Sequence, residues 1–301
     1  MSKRTVIGVV LLLLALPAAV ALSEAVIFHV RNRPNGTIVS SGKTREYFLY
    51  VPRNYDRTKP TPLVISMHGA GGWPVQQRDL SLWNDLADRE GFLVVYPSGM
   101  TGRGPRTWRV GRNFQTDVRF ISDLIDKLQA DFNIDPSRIY ANGISNGGGM
   151  SFVLSCRLSE RIAAVGMVGA AQTLPWSWCT NDKPMPVIAF HGTADPMMPY
   201  DGGTSWVADG TFPSVSAFMA KWARRNRCEP AAVESSVTPD VERREYQHCA
   251  DGADVVLYTI RGGGHTWPGG QVLPEWFTGP TNLSVSATNE MWAFFREHRV
   301  R

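Results

Sequence analysis

The stretch Arg138-Ile139-Tyr140-Ala141-Asn142-Gly143-Ile144-Ser145-Asn146-Gly147-Gly148 decides the fold of this chain. Arg138 to Ala141 is a short run of strand type, and from Asn146 to Leu158 the apolar residues return at helical spacing. Between them sits G-x-S-x-G. A serine at such a strand-to-helix junction lies on a sharp turn that lifts its hydroxyl off the sheet edge, and the flanking glycines let backbones cross where a Cβ would collide. Ser145 is therefore a candidate nucleophile, and because a free serine hydroxyl attacks poorly, it needs a base.

Further strand candidates lie on both sides of this turn: Leu63 to Met67, Phe92 to Tyr96, Ala163 to Met167, Val187 to Phe190 and Val255 to Thr259. Their near-continuous apolarity suits strands covered on both faces. Helical patterns separate them. Asp117 to Phe132 places Val118, Ile121, Leu124, Ile125 and Leu128 on one stripe, and Val215 to Arg225 and Ser286 to His298 read alike, with Pro136 and Pro213 as breaks. This alternation predicts an α/β fold: one domain with a doubly wound, mostly parallel sheet, its N-terminal edge formed by an antiparallel hairpin around Thr37 to Val51.

The strand Leu63 to Met67 runs into His68-Gly69-Ala70-Gly71-Gly72, a loop flexible enough to turn backbone N–H groups toward a substrate oxygen. Ala70, with Gly71 as the alternative, and Asn146, which follows the nucleophile, are the expected oxyanion donors. His68 precedes Ser145, whereas sheets carrying this turn order their residues serine, then acid, then histidine, so His68 is expected to brace its loop. The acid and base then come from later strand ends: Asp195 in His191-Gly192-Thr193-Ala194-Asp195, and His265 in Gly262-Gly263-Gly264-His265-Thr266-Trp267. His191 is expected to be a strand-end hydrogen bonder. Of the ten tryptophans, seven fall in expected loops, and Trp73 and Trp267, beside the oxyanion loop and the base, are expected to wall the substrate pocket.

Composition narrows the function classes. The chain has 301 residues, 43% hydrophobic and 19% charged, which is the make-up of a folded protein and excludes disordered or collagen-like order. A net charge of +4 without a basic stripe argues against nucleic-acid binding. Ser2-Lys3-Arg4, the apolar run Val6 to Leu22 and Ala19-Val20-Ala21 read as a secretory signal over residues 1–21, with an uncleaved anchor as the alternative; the catalytic domain is expected over 22–301. Cys156, Cys179, Cys228 and Cys249 lack metal-site spacing. In an exported chain they suggest two disulfides, and the local pairing, Cys156 with Cys179 and Cys228 with Cys249, closes the shortest loops; four buried thiols would suit a cytosolic chain.

The motifs together resemble the α/β-hydrolase superfamily, and more narrowly the exported polyhydroxybutyrate depolymerase and feruloyl esterase family of carbohydrate-esterase type. Leu49-Tyr50-Val51-Pro52, His68 to Gly72, Tyr96-Pro97, Gly143 to Gly148, His191 to Asp195 and Gly263 to Pro268 carry the resemblance, which extends from about Gly36 to His298. It implies a Ser145, Asp195 and His265 triad, the same two disulfides, and hydrolysis of carboxylic esters without metal or organic cofactor. Only Arg299, Val300 and Arg301 follow His298, with no linker or binding module, so soluble feruloyl, acetyl or hydroxyalkanoate-oligomer esters are expected in place of insoluble polyester. The chain is expected to act as a secreted or periplasmic monomer on a small or oligomeric ester. Serine peptidase, acyltransferase and non-catalytic glycan- or polymer-binding readings use the same scaffold.

Overall fold

A computed structural model describes residues 33–101, 105–179 and 181–300. The export signal expected over residues 1–21 lies outside the described residues.

Ten strands form one sheet. Its centre is the parallel set β3 (Thr61–Met67), β4 (Leu93–Pro97), β5 (Ile134–Ile144), β6 (Ala164–Val168), β7 (Val187–Gly192) and β12 (Val255–Ile260), arranged β4-β3-β5-β6-β7-β12. The N-terminal hairpin β1 (Gly36–Ser40) and β2 (Lys43–Tyr50) adds to β4 antiparallel, as the sequence predicts. A second antiparallel hairpin, β10 (Val233–Thr238) and β11 (Val241–Tyr246), closes the far edge against β12. The sequence reading missed it. Its strands carry charged residues in place of an apolar run, and cross-strand ion pairing of Arg244 with Glu234 supports an edge that faces water. A two-strand ribbon, β8 (Gly203–Thr204) with β9 (Thr211–Phe212), sits in the connection after β7.

Alternation along the central strands sends side chains to two separate cores. Leu63, Ile65 and Met67 of β3 face one side, where α3 (Gln115–Asp131), α4 (Asn146–Arg157) and α5 (Val215–Arg225) pack; Val64 faces the other, covered by α1 (Pro74–Ser81), α2 (Trp83–Glu90) and α7 (Ala287–Phe295). A short α6 (Glu275–Thr278) lies in the loop after β12. The sequence reading overlooked α1 and α2, which split one helical stretch at Leu82, a residue in the left-handed region at φ 58°. Pro136, read as a break, falls inside β5, where the register against β3 shifts between Thr61 and Leu63 and so requires no ladder bond from it.

Cys156, on α4, is bonded to Cys179, and Cys228, just past α5, to Cys249. Each bridge closes a loop of a little over twenty residues, for which loop-closure entropy in the unfolded chain is worth roughly 3 kcal/mol. The first bridge encloses Trp176, whose ring packs edge-on against Phe152 and Trp222.

Trp222 is fully buried and also meets Phe152 at 5.7 Å between ring centres, so it ties α5 to α4 across the core. Trp222→Ala is expected to lower unfolding free energy by about 3–5 kcal/mol, measured as a shift of the urea midpoint with little change in slope.

Candidate active site

β5 ends at Ile144 and α4 begins at Asn146, leaving Ser145 as the single residue of the turn. Its backbone sits at φ 55°, ψ −122°, a conformation that L-residues rarely adopt and that costs about 1–3 kcal/mol. The Ser145 N–H donates to the Val168 carbonyl, and Gly149 N–H donates to the Ser145 carbonyl. The glycines are required by contact. A Cβ on Gly147 would lie 2.2 Å from the Met67 carbonyl oxygen, and one on Gly143 would lie 2.5 Å from the Gly147 carbonyl carbon. The turn therefore presses against the end of β3, where the His68 to Gly72 loop starts.

That loop is braced as the sequence predicts. His68 is buried; its Nδ1–H donates to the Gly69 carbonyl at 2.7 Å and its Nε2 accepts from the Gly99 N–H at 3.0 Å, so the imidazole is neutral. Burial pushes its pKa down to about 4, against an opposing hydrogen bond to the Gly69 carbonyl. The Gly71 N–H is spent on the Arg106 carbonyl at 2.8 Å, so it does not point into the cleft as a free donor.

Asp195 and His265 meet at the ends of β7 and β12. His265 Nδ1–H donates to Asp195 Oδ2 at 2.7 Å, while Oδ1 accepts the N–H groups of Met197 and Met198, both at 2.8 Å. His191 Nε2–H donates to the Met198 carbonyl at 2.8 Å and lies 3.4 Å from Asp195 Oδ2. Burial raises the Asp195 pKa, but hydrogen bonds from His191 and His265 and their positive potential outweigh it and hold the carboxyl well below its ordinary range. A Cβ on Gly169 would meet the His265 ring at 3.0 Å, so the residue after β6 also bears on the imidazole.

Ser145, His265, Ala70 and Asn146 line one cleft of about 500 Å³. Its apolar wall comes from the segment after β7, with Met197, Met198 and Trp206, and from Leu273 and Phe277 after β12. Trp73 and Trp267 are not among the lining residues, which corrects the sequence expectation. Trp267 is fully buried under α7, where its indole N–H donates to Thr288, because the chain turns inward directly after His265. Trp108 and Trp206 line the cleft instead. Both were visible as loop tryptophans, but nothing in the sequence placed their loops at the cleft. Among the described residues, no group of three or more His, Cys, Asp or Glu side chains is arranged to hold a metal ion.

The depressed His68 pKa has a definite sign for stability. Between about pH 6.5 and 4 the unfolded imidazole takes a proton that the folded one refuses, so stability falls as pH falls through that window. Urea unfolding at pH 7 and pH 4.5 should show a pH-dependent loss in the wild type of up to about 3 kcal/mol that a His68→Gln variant lacks.

Comparison with known proteins agrees with this architecture. The family described as "Esterase PHB depolymerase" matches residues 45–198. The chain is 32% identical over 229 residues to "Feruloyl esterase B" of Piromyces equi, covering 73% of this chain and 42% of that protein. It is 30% identical over 257 residues to "Putative esterase NocK" of Nocardia uniformis subsp. tsuyamanensis, covering 77% and 73%. The chain thus spans less than half the length of the first of these relatives. Among solved structures, the acetyl xylan esterase from Aspergillus awamori superposes with a TM-score of 0.55 at 18% identity, covering 74% of this chain and 89% of that one, a likeness of fold. With the strand-turn-helix junction at Ser145, the doubly wound sheet and these matches together, the chain belongs to the PHB depolymerase esterase family of α/β-hydrolases.

Proposed function

We propose that this hydrolase works as a secreted or periplasmic serine esterase, with Ser145 as nucleophile, His265 as base and Asp195 as the group that orients it. The observation that carries the reading is the 2.7 Å His265–Asp195 hydrogen bond at the rim of the cleft that Ser145 also lines. With Nδ1 protonated toward Asp195, His265 Nε2 is free to take the Ser145 proton as its oxygen attacks the ester carbonyl. The Ala70 and Asn146 N–H groups stabilise the resulting oxyanion. His265 then protonates the departing alcohol, leaving an acyl group on Ser145. Water, deprotonated by His265, attacks this acyl-enzyme and releases the acid. Asp195 stays ionised throughout, consistent with its depressed pKa.

A cleft of this volume with an apolar wall of Met197, Met198, Trp206 and Phe277 suits feruloyl, acetyl or short hydroxyalkanoate esters. The names of the relatives, feruloyl esterase and acetyl xylan esterase, support the same range. Two disulfides and the leader-like N-terminus support export.

Ser145→Ala should abolish turnover of a short-chain aryl ester while the melting temperature stays level or rises, since alanine removes only the hydroxyl. Hydrolysis at the wild-type rate in that variant would refute the assignment. Asp195→Asn should retain binding but lower kcat by about 10⁴ through loss of the correct imidazole tautomer, read from initial rates at saturating ester.

A further inference from the structure

The two proposed oxyanion donors stand on different pieces of chain: Ala70 on the loop after β3, Asn146 on the first turn of α4. A third piece bridges them. Residues 98–101 and 105–109, between β4 and α3, run beside both, and the key residue among them is Trp108, buried and lining the cleft.

The Asn146 side chain grips the Trp108 peptide at both ends. Its Oδ1 accepts the Trp108 N–H at 2.7 Å, and its Nδ2 donates to the Trp108 carbonyl at 3.1 Å. The two bonds fix the orientation of the Asn146 amide, because only this way round does each partner find its complement. Towards the other donor, the Trp108 indole N–H donates to the His68 carbonyl at 3.0 Å, and the His68 and Trp108 rings pack 5.3 Å apart. Two more bonds fasten the same segment to the oxyanion loop: Gly71 N–H to the Arg106 carbonyl at 2.8 Å, and Gly99 N–H to His68 Nε2 at 3.0 Å. The segment is anchored behind as well, where the Arg109 N–H donates to Asp117, a buried carboxylate ion-paired with Arg45 at 2.8 Å.

We propose that the Asn146 side chain and Trp108 form a splint that sets the spacing of the two oxyanion donors, making both positioning residues for the hydrolytic step. This rests on the serine-triad reading. The splint touches no reacting atom. It acts through the Asn146 and Ala70 amides, whose worth to the transition state depends on being held where the oxyanion forms, with no reorganisation at that moment. A carboxamide is the one side chain of this length that offers an acceptor and a donor together to a peptide, so the residue after the nucleophile serves twice: by its own N–H and by its side chain.

The test measures ester kinetics together with inhibition by two ligands: an aryl trifluoromethyl ketone, which adds reversibly to a serine hydroxyl and places an oxyanion in the hole, and the free acid product, which does not. In Asn146→Ala, kcat is expected to fall about 10- to 100-fold, short of the loss for a donor removed outright. The ketone's Ki should rise by a similar factor while KM and the acid's Ki stay within about threefold. Trp108→Phe, which removes the indole N–H along with the five-membered part of the ring, should move kcat and the ketone's Ki the same way by a smaller factor, and the double variant should lose less than the product of the single losses. Equal weakening of ketone and acid would indicate a merely deformed cleft and overturn the proposal, as would wild-type ketone affinity in both single variants. Ser145→Ala run alongside separates the two levels: if it keeps wild-type turnover, the triad reading fails and the splint with it. If it is inactive while Asn146→Ala and Trp108→Phe match the wild type, the splint alone fails.

Discussion

One close crossing of two backbones organises this molecule. The turn at Ser145 rides over the end of β3 so tightly that Gly147 has no room for a Cβ against the carbonyl oxygens of Met67 and His68. The crossing puts the nucleophile turn and the His68 loop side by side; a Cβ on Gly69 would stand 3.5 Å from that of Ser145. It is also why Ser145 tolerates its positive φ, since its N–H and carbonyl are both held, by Val168 and by Gly149. The strain is local, and the two apolar cores beneath it, one on each face of the sheet, supply the stability that sustains it.

The electrostatics of the cleft follow from burial. Around the reaction centre, one buried carboxylate is kept ionised and one buried imidazole is kept neutral. Asp195 has donors enough, two backbone N–H groups and His265, with the His191 ring edge 3.4 Å away, to carry its charge. His68 has one donor and one acceptor against it, a pattern only the neutral ring satisfies, and the nearby Arg106 charge also disfavours its protonation.

What could be read from the sequence was whatever depends on strand ends. The six parallel strands, the Ser145 turn, the brace at His68, and Asp195 and His265 after successive downstream strands all follow from apolar runs that end in glycine-rich turns. What could not be read depended on which way a side chain turns within a loop. Trp267 follows His265 by two residues yet points into the core, bonded to Thr288, while Trp206, far from any motif, reaches the cleft because its indole N–H is tied to the Pro196 carbonyl. The β10–β11 hairpin escaped notice for a different reason: it is an edge, its strands are held by backbone bonds and ion pairs, and it buries too little to leave an apolar period.

The division of labour within the cleft follows from the same distinction. Ser145 and His265, which line it, stand just past strand ends fixed by the sheet, with Asp195 behind His265. Its apolar wall stands on two long connections after β7 and β12, where Trp206 is 66% exposed and packs on Phe277 at 6.1 Å. Side-chain changes at Trp206 and Phe277 leave the sheet untouched, whereas the backbone of Met197, Met198 and Thr278 is bonded to Asp195 and His265, so this wall can vary in its side chains but not in its backbone path. The opposite wall is different. Trp108 contacts both oxyanion segments, so a change there alters pocket shape and donor spacing together, and specificity on that side is coupled to rate.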